Sequence, residues 1–302
     1  MVQHRPGVPF VTYYPVNLNG MDDDVRRFAR SFGSVAHAYD RGRPSFPRKV
    51  AAWLTGEEPM TVLELGAGTG KLTEQLVALG HDVHATDPDQ HMLDILTRTL
   101  PDTRASLASA EELPVPDGSV DVVVAAQSFH WFDHDLALPE IARVLKPGGR
   151  LAVVWNLRDA KIPWVRRLGD IIGSVEEVDP EPLVLSGLFG FVEEETFSFW
   201  QDINRDTIQD LVLSRSNVAT LDEDAQAAKL DEVLAFYDDY GRGMDGMQLH
   251  YNSRCFRTVV NEPANPDAAD APDDGPDRGG DGPPDPGPSD GTDTGMLLID
   301  FK

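Results

Sequence analysis

Three observations predict an α/β fold built on a doubly wound parallel sheet. Short apolar runs alternate with amphipathic stretches through about 100 residues of the chain. A glycine-rich loop, GAGTG (66–70), joins the first apolar run to a helical pattern. An acid, Asp87, closes the second run, 21 residues after Gly66. Regular alternation of strand and helix argues for βαβ units. In such sheets ligands bind outside the carboxyl ends of the strands, where the strand order reverses.

Each element has its own signal. Val25, Phe28, Ala29, Phe32, Val35, Ala36 and Tyr39 fall on one helical face. TVLEL (61–65) is a buried strand, and 72–79 a helix that stops at Gly80. HDVHATD (81–87) is the second strand, and Met92, Leu93, Ile95 and Leu96 mark the next helix. A weak third strand lies near 104–108. VDVVVAA (120–126) is a strong strand, LALPEIARVL (136–145) a helix, and KPGG (146–149) turns the chain into RLAVVWN (150–156). Beyond 160 the pattern predicts helices at 162–175, 206–215 and 222–240, and strands at 191–200 and 248–259. The helices around 204–240 read as an insertion between the last two strands. With no linker before them, residues 21–261 form one domain.

The ends differ from this middle. Residues 1–20 hold three prolines and no clear period, and Met21 precedes an amphipathic pattern. They are expected to be a loose extension, with Met21 the natural start. Residues 262–302 carry 11 acids, two basic residues, eight prolines and seven glycines. So few apolar groups cannot offset ordering entropy, and the tail is expected to be disordered.

Charge and composition exclude several classes. With 26 Lys plus Arg against 51 Asp plus Glu, the formal charge is −25, and no dense basic run is present. Such a chain repels a phosphate backbone, so no nucleic-acid partner is expected. No apolar run reaches the roughly 18–20 residues of a membrane span. Cys255 is the single cysteine, which rules out an intrachain disulfide and a multi-cysteine zinc site and fits a reducing, cytoplasmic compartment. His81 and His84 face opposite sides of a strand, so no metal is expected.

The glycine loop narrows the ligand. Its bare backbone N–H groups suit close approach to a ligand at a helix N-terminus. The dinucleotide fingerprint G-x-G-x-x-G fails in both registers: the third glycine falls on Lys71 or on Thr73. The P-loop pattern fails too, because Leu72 follows Gly70-Lys71. Asp87 could bind ribose hydroxyls or cap the helix that follows it.

These stretches together resemble the class I S-adenosylmethionine-dependent methyltransferases. ELGAGTGKLT (64–73) resembles their first motif and ATDPDQHML (85–93) the acidic second. ASAEELPVPDGSVDVVVAAQSFHWFD (108–133) and RVLKPGGRLAVVWN (143–156) resemble the blocks that follow. SFGSVAHAYDRGRPSFP (31–47) resembles the approach segment of the type 11 group, which includes trans-aconitate-methyltransferase-like small-molecule enzymes. The match covers about 25–160 well and 160–260 loosely.

The resemblance implies a seven-stranded Rossmann-like sheet, mostly parallel with one antiparallel strand. It also implies S-adenosylmethionine as cofactor. Gly66, Ala67, Gly68 and Gly70 would pass beneath the methionine part, which Glu64 helps orient. Asp87, with Pro88 beside it, would hold the ribose. Ser109, Ala110 and Glu111 fall at the adenine, and Gln127 ends the fourth strand beside the cofactor. Ser109 departs from the aspartate often found there. His130 follows the fourth strand and could act as a general base or simply pack. In the approach segment, Tyr39 could contact substrate or cofactor and Arg43 the substrate. Arg41 or Arg43 could hold a substrate carboxylate, or each could be a solvated helix-end charge. The N/D-P-P-Y/F segment of nucleic-acid amino methyltransferases is replaced by AQSF (126–129). The expected function is methyl transfer to an oxygen, nitrogen or carbon of a small organic acceptor. The alternatives are a SAM-binding regulatory protein without catalysis and a nicotinamide-dependent oxidoreductase.

Overall fold

The computed structural model describes residues 38, 40–173, 178–215, 218, 221–240 and 247–261. The extension 1–20, the helical face ending at Tyr39 and the acidic tail 262–302 lie outside the described residues. Among the described residues the strands form one seven-stranded sheet in the order β3-β2-β1-β4-β5-β7-β6.

Residues Arg48–Thr55 form α1, followed by β1 (Thr61–Leu65), α2 (Thr73–Ala78), β2 (Asp82–Asp87), α3 (Gln90–Thr99) and β3 (Arg104–Leu107). The chain then crosses to β4 (Val120–Ala126), α4 (His134–Val144) and β5 (Leu145–Arg158). These five strands pair in parallel. Helices α5 (Pro163–Ile172) and α6 (Glu181–Leu185) lead to β6 (Glu193–Ile203). Helices α7 (Arg205–Leu213) and α8 (Glu223–Tyr240) lie between β6 and β7 (Met247–Val259). Strand β7 runs antiparallel to both β5 and β6.

Alternation along the central strands feeds two cores. Leu63, Leu65, Val123, Ala125, Leu151 and Val153 pack on one face with Ala137, Leu138 and Ile141 of α4. Val62, Val122, Val124, Ala152 and Val154 pack on the other with Val50 and Leu54 of α1 and Leu76 of α2. Near-continuous apolar runs are what a parallel sheet covered on both faces requires. Glu64 shares the second face and is buried all the same, so it marks a site rather than a core position. A third core joins α5, α7 and α8 to Met247, Leu249 and Tyr251 of β7.

Local chemistry sets the boundaries. Gly80 ends α2 in the left-handed region. Asp89, not Asp87, caps α3: its side chain accepts from His91 N. Asn204 closes a capping box with Thr207 at the start of α7. KPGG is absorbed into β5, where the pairing register shifts between Val120 and Val122. The short helix α6 was not legible in the sequence pattern.

Candidate active site

The strand order reverses between β1 and β4, and a cleft opens at the carboxyl ends of these strands. Glu64, Gly66 and Ala67 line its first part with Lys71, Gln127 and Asn156. The loop after β1 carries three glycines with positive φ, at 66, 68 and 70. Gly66 is doubly constrained. Its φ is 65°, and a Cβ there would stand 2.5 Å from Ser128 Cβ. The Ser128 hydroxyl donates to Leu65 O at 2.8 Å, pinning the two loops together.

Asp87 organises the glycine loop rather than the next helix. Its Oδ2 accepts from Gly68 N at 2.8 Å and its Oδ1 from Asp89 N at 2.9 Å. Burial pushes its carboxyl up to about 6, against the pull of those two N–H groups. Glu64 is more deeply buried. Thr73 Oγ1 donates to Glu64 Oε2 at 2.7 Å, so the first and last residues of ELGAGTGKLT close the loop. Burial pushes the Glu64 carboxyl up to about 8, with Asp87 adding repulsion. A buried carboxylate with one hydroxyl partner favours a cationic ligand group.

Gln127 follows β4 with φ 58°, the positive-φ residue other than glycine among those described. Such strain in a non-glycine residue is held by its surroundings and collects at functional sites. Its Nε2 donates to Asn156 O at 3.1 Å, which ties β4 to β5.

A second part of the cleft adjoins the first through Arg43, Pro44, Gln127 and Asn156, which line both. Arg43 and Pro44 of the approach segment border it. Arg43 donates to Ser214 Oγ at 3.1 Å and Ser214 O at 3.2 Å. Gly42 rests on α7, where a Cβ would meet the Asp210 backbone at 2.3 Å. Arg41 instead turns to the exposed side and binds Asp210 through two bonds of 2.8 Å.

The other sequence-predicted residues separate. Ala110 is buried in the core of the α4 face, and Glu111 Oε1 accepts from Asp133 N at 2.9 Å. Ser109 is half-buried and Pro88 exposed. Tyr39 lies outside the described residues. His130 sits in a short 3-10 turn, Phe129–Trp131, and lines neither part of the cleft. Its Nδ1 accepts from Trp155 Nε1 at 3.4 Å. A neutral ring with Nδ1 as acceptor carries its proton on Nε2, so this geometry does not present a base to the cleft. His81 bonds Thr55 and Met60, and His84 bonds Ser106.

Residues not singled out from sequence complete the site: Asn156, Arg158, Arg215 and Tyr251. One signal for Arg158 was present. A charge directly after the apolar run AVVWNL (152–157) lies at the carboxyl end of a strand, where ligands bind.

Comparison with known proteins identifies relatives of the chain. A family model described as "Methyltransferase domain" matches residues 63–153. An uncharacterized methyltransferase of Mycobacterium bovis is 43% identical over 238 residues, covering 78% of this chain and 98% of that protein. One from Schizosaccharomyces pombe is 34% identical over 220 residues, 68% of this chain and 87% of that protein. Among solved structures, a provisionally assigned type II methyltransferase from Anaeromyxobacter dehalogenans superposes with TM-score 0.56 at 25% identity, covering 72% of this chain and 97% of that one.

Proposed function

The chain belongs to the class I SAM-dependent methyltransferases, and from that membership we propose that it transfers a methyl group from S-adenosylmethionine to a small organic acceptor bound in the adjoining part of the cleft. One observation carries the cofactor assignment: the buried Glu64 carboxyl beside a glycine loop with positive φ at 66, 68 and 70, where Gly66 leaves no room for a side chain. That donor set fits the cofactor. Glu64 would face its cationic methionine end, the loop amides would lie along it, and Asp87 would accept from the ribose hydroxyls. When bound, the cofactor supplies an electrophilic methyl group on a sulfonium.

The chain's own residues then have two tasks. The first is to hold the acceptor's nucleophile in line, an effect of proximity and orientation. Gln127 and Asn156 lie where the two parts of the cleft meet and are placed to do this. The second is to exclude water, served by Pro44 and by Phe46 and Leu72 beside the loop. Named methyltransferase relatives favour this function over the nicotinamide alternative.

Calorimetric titration of S-adenosylmethionine, S-adenosylhomocysteine and NADH into the full chain and into Asp87→Ala tests the assignment. Micromolar binding of both sulfur cofactors, weakened at least about tenfold by the substitution, is expected. Binding of NADH alone, or affinity indifferent to Asp87, would overturn it.

A further inference from the structure

The second part of the cleft has a composition at odds with the rest of the chain. In a protein of formal charge −25, it is lined by three arginines, Arg43, Arg158 and Arg215, beside Tyr251 and Asn156. Among the described residues no Asp or Glu lines it. Arg158 and Tyr251 stand directly opposite each other in the β5–β7 register.

Arg158 is the informative member. It is 7% exposed. Its Nη2 donates to Gly173 O at 2.8 Å, while its Nη1 is buried with no hydrogen-bond partner among the described residues. The neighbouring acid, Asp159, bonds His250 instead at 3.0 Å. Burial and the Arg43 charge both push the Arg158 guanidinium down from its ordinary value. Burial holds the Tyr251 phenol up, so it stays neutral and can donate. A buried guanidinium without an anion is costly, and a planar anion meets it with two parallel bonds.

Given the methyltransferase function proposed above, we infer that the acceptor is a small organic carboxylate, anchored by Arg158 together with Arg43, Arg215 and the Tyr251 hydroxyl. The carboxylate fixes one end of the acceptor in the arginine pocket. The remainder extends past Gln127 and Asn156 toward the glycine loop. Arg158 is a binding residue here, and its removal acts on acceptor affinity rather than on the cofactor.

The test is calorimetric titration of glutarate, benzoate and phenylacetate, of their methyl esters, and of inorganic phosphate into the full chain. Each is run with and without S-adenosylhomocysteine. At least one carboxylate is expected to bind where its ester does not. Its affinity is expected to fall about tenfold or more in Arg158→Gln, with S-adenosylhomocysteine affinity kept within about twofold. Arg215→Gln, which leaves the Gly173 contact intact, is expected to act in the same direction if Arg158→Gln does not fold. Esters binding as well as acids, phosphate binding alone, no carboxylate binding, or indifference to both variants would overturn the inference. Failure of S-adenosylhomocysteine to bind would instead sink the cofactor assignment, and the titrations without it would still decide the role of the arginines.

Discussion

The two parts of the cleft carry different charged groups from different parts of the chain: Glu64 with Lys71 and Arg43 in the first, three arginines in the second. On the glycine-loop side, Glu64 and Asp87 are buried carboxylates, each pushed upward by burial. Both lie within one β1–α2–β2 unit, 23 residues apart. On the other side, Arg43, Arg158 and Arg215 converge from the approach segment, the end of β5 and the end of α7. A cationic donor and an anionic acceptor would each meet its complement, and the shared wall of Gln127 and Asn156 would bring them together.

The largest effect that separates the two sides is expected from Gly66→Ala. The new Cβ meets Ser128 Cβ at 2.5 Å while the backbone stays at positive φ. Overpacking and left-handed strain together cost about 3–5 kcal/mol. Thermal unfolding should show the loss, and cofactor binding should fall below detection. The comparison breaks if the variant keeps cofactor affinity and loses only carboxylate binding.

The same contrast explains what sequence could and could not show. TVLEL, HDVHATD and VDVVVAA declare themselves as strands because their apolar pattern is local, and the glycine loop needs only neighbours in sequence. The seven strands with one antiparallel follow from the family resemblance, while their order is seen only in the sheet. Asp87 was placed correctly at the end of β2, but its bond to Gly68 N needs the folded loop. Arg43 was singled out as a possible holder of a carboxylate, but the pocket it forms with Arg158 and Arg215 was not legible. Arg158 and Tyr251 meet only through an antiparallel pairing across 93 residues of chain, and Arg43 and Arg215 enter through the docking of the approach segment on α7. His130 looked like a base from its position after β4. The turn directs its Nδ1 to the indole of Trp155, which no local pattern encodes.

A second prediction sharpens the electrostatics of the glycine-loop side. The Glu64 carboxyl stands at about 8 when folded, above its ordinary 4.5. Below the ordinary value it is protonated in both states and adds nothing. As pH rises toward 8 the unfolded chain loses this proton first, so it binds fewer protons than the folded one and stability falls. Above 8 the penalty is complete, on the order of a few kcal/mol. Glu64→Gln keeps an acceptor for Thr73 and should flatten this slope in urea unfolding followed from pH 5 to 9. Cofactor affinity should fall in the same variant. An unchanged slope would mean that the carboxylate is solvated and not a buried counter-charge.

Gly42→Ala probes the seam between the two sides. A Cβ at 2.3 Å from the Asp210 backbone forces the approach segment off α7. Overpacking of this kind costs about 1–3 kcal/mol. Carboxylate affinity should drop further than cofactor affinity, because Arg43 loses its Ser214 bonds and Gly42 O its bond from Gln201. Equal losses at both ligands would show that the segment supports the whole cleft rather than its arginine side.

The smallest effect is expected one residue earlier, and it is informative for that reason. Arg41 and Arg43 carry the same group two positions apart, yet they point to different places. Arg41 is 59% exposed in its side chain and pairs with Asp210. Exposed pairs of this kind contribute about 0–1 kcal/mol, even with two-bond geometry. Arg41→Ala should therefore leave thermal stability, cofactor affinity and carboxylate affinity nearly unchanged, and added salt should erase whatever difference remains. Arg43→Ala should weaken carboxylate binding under the same conditions. If Arg41→Ala proved as damaging to carboxylate binding as Arg43→Ala, the effect would come from long-range positive potential. The arginine pocket would then act by net charge, and the buried Nη1 of Arg158 would lose its special place in the account.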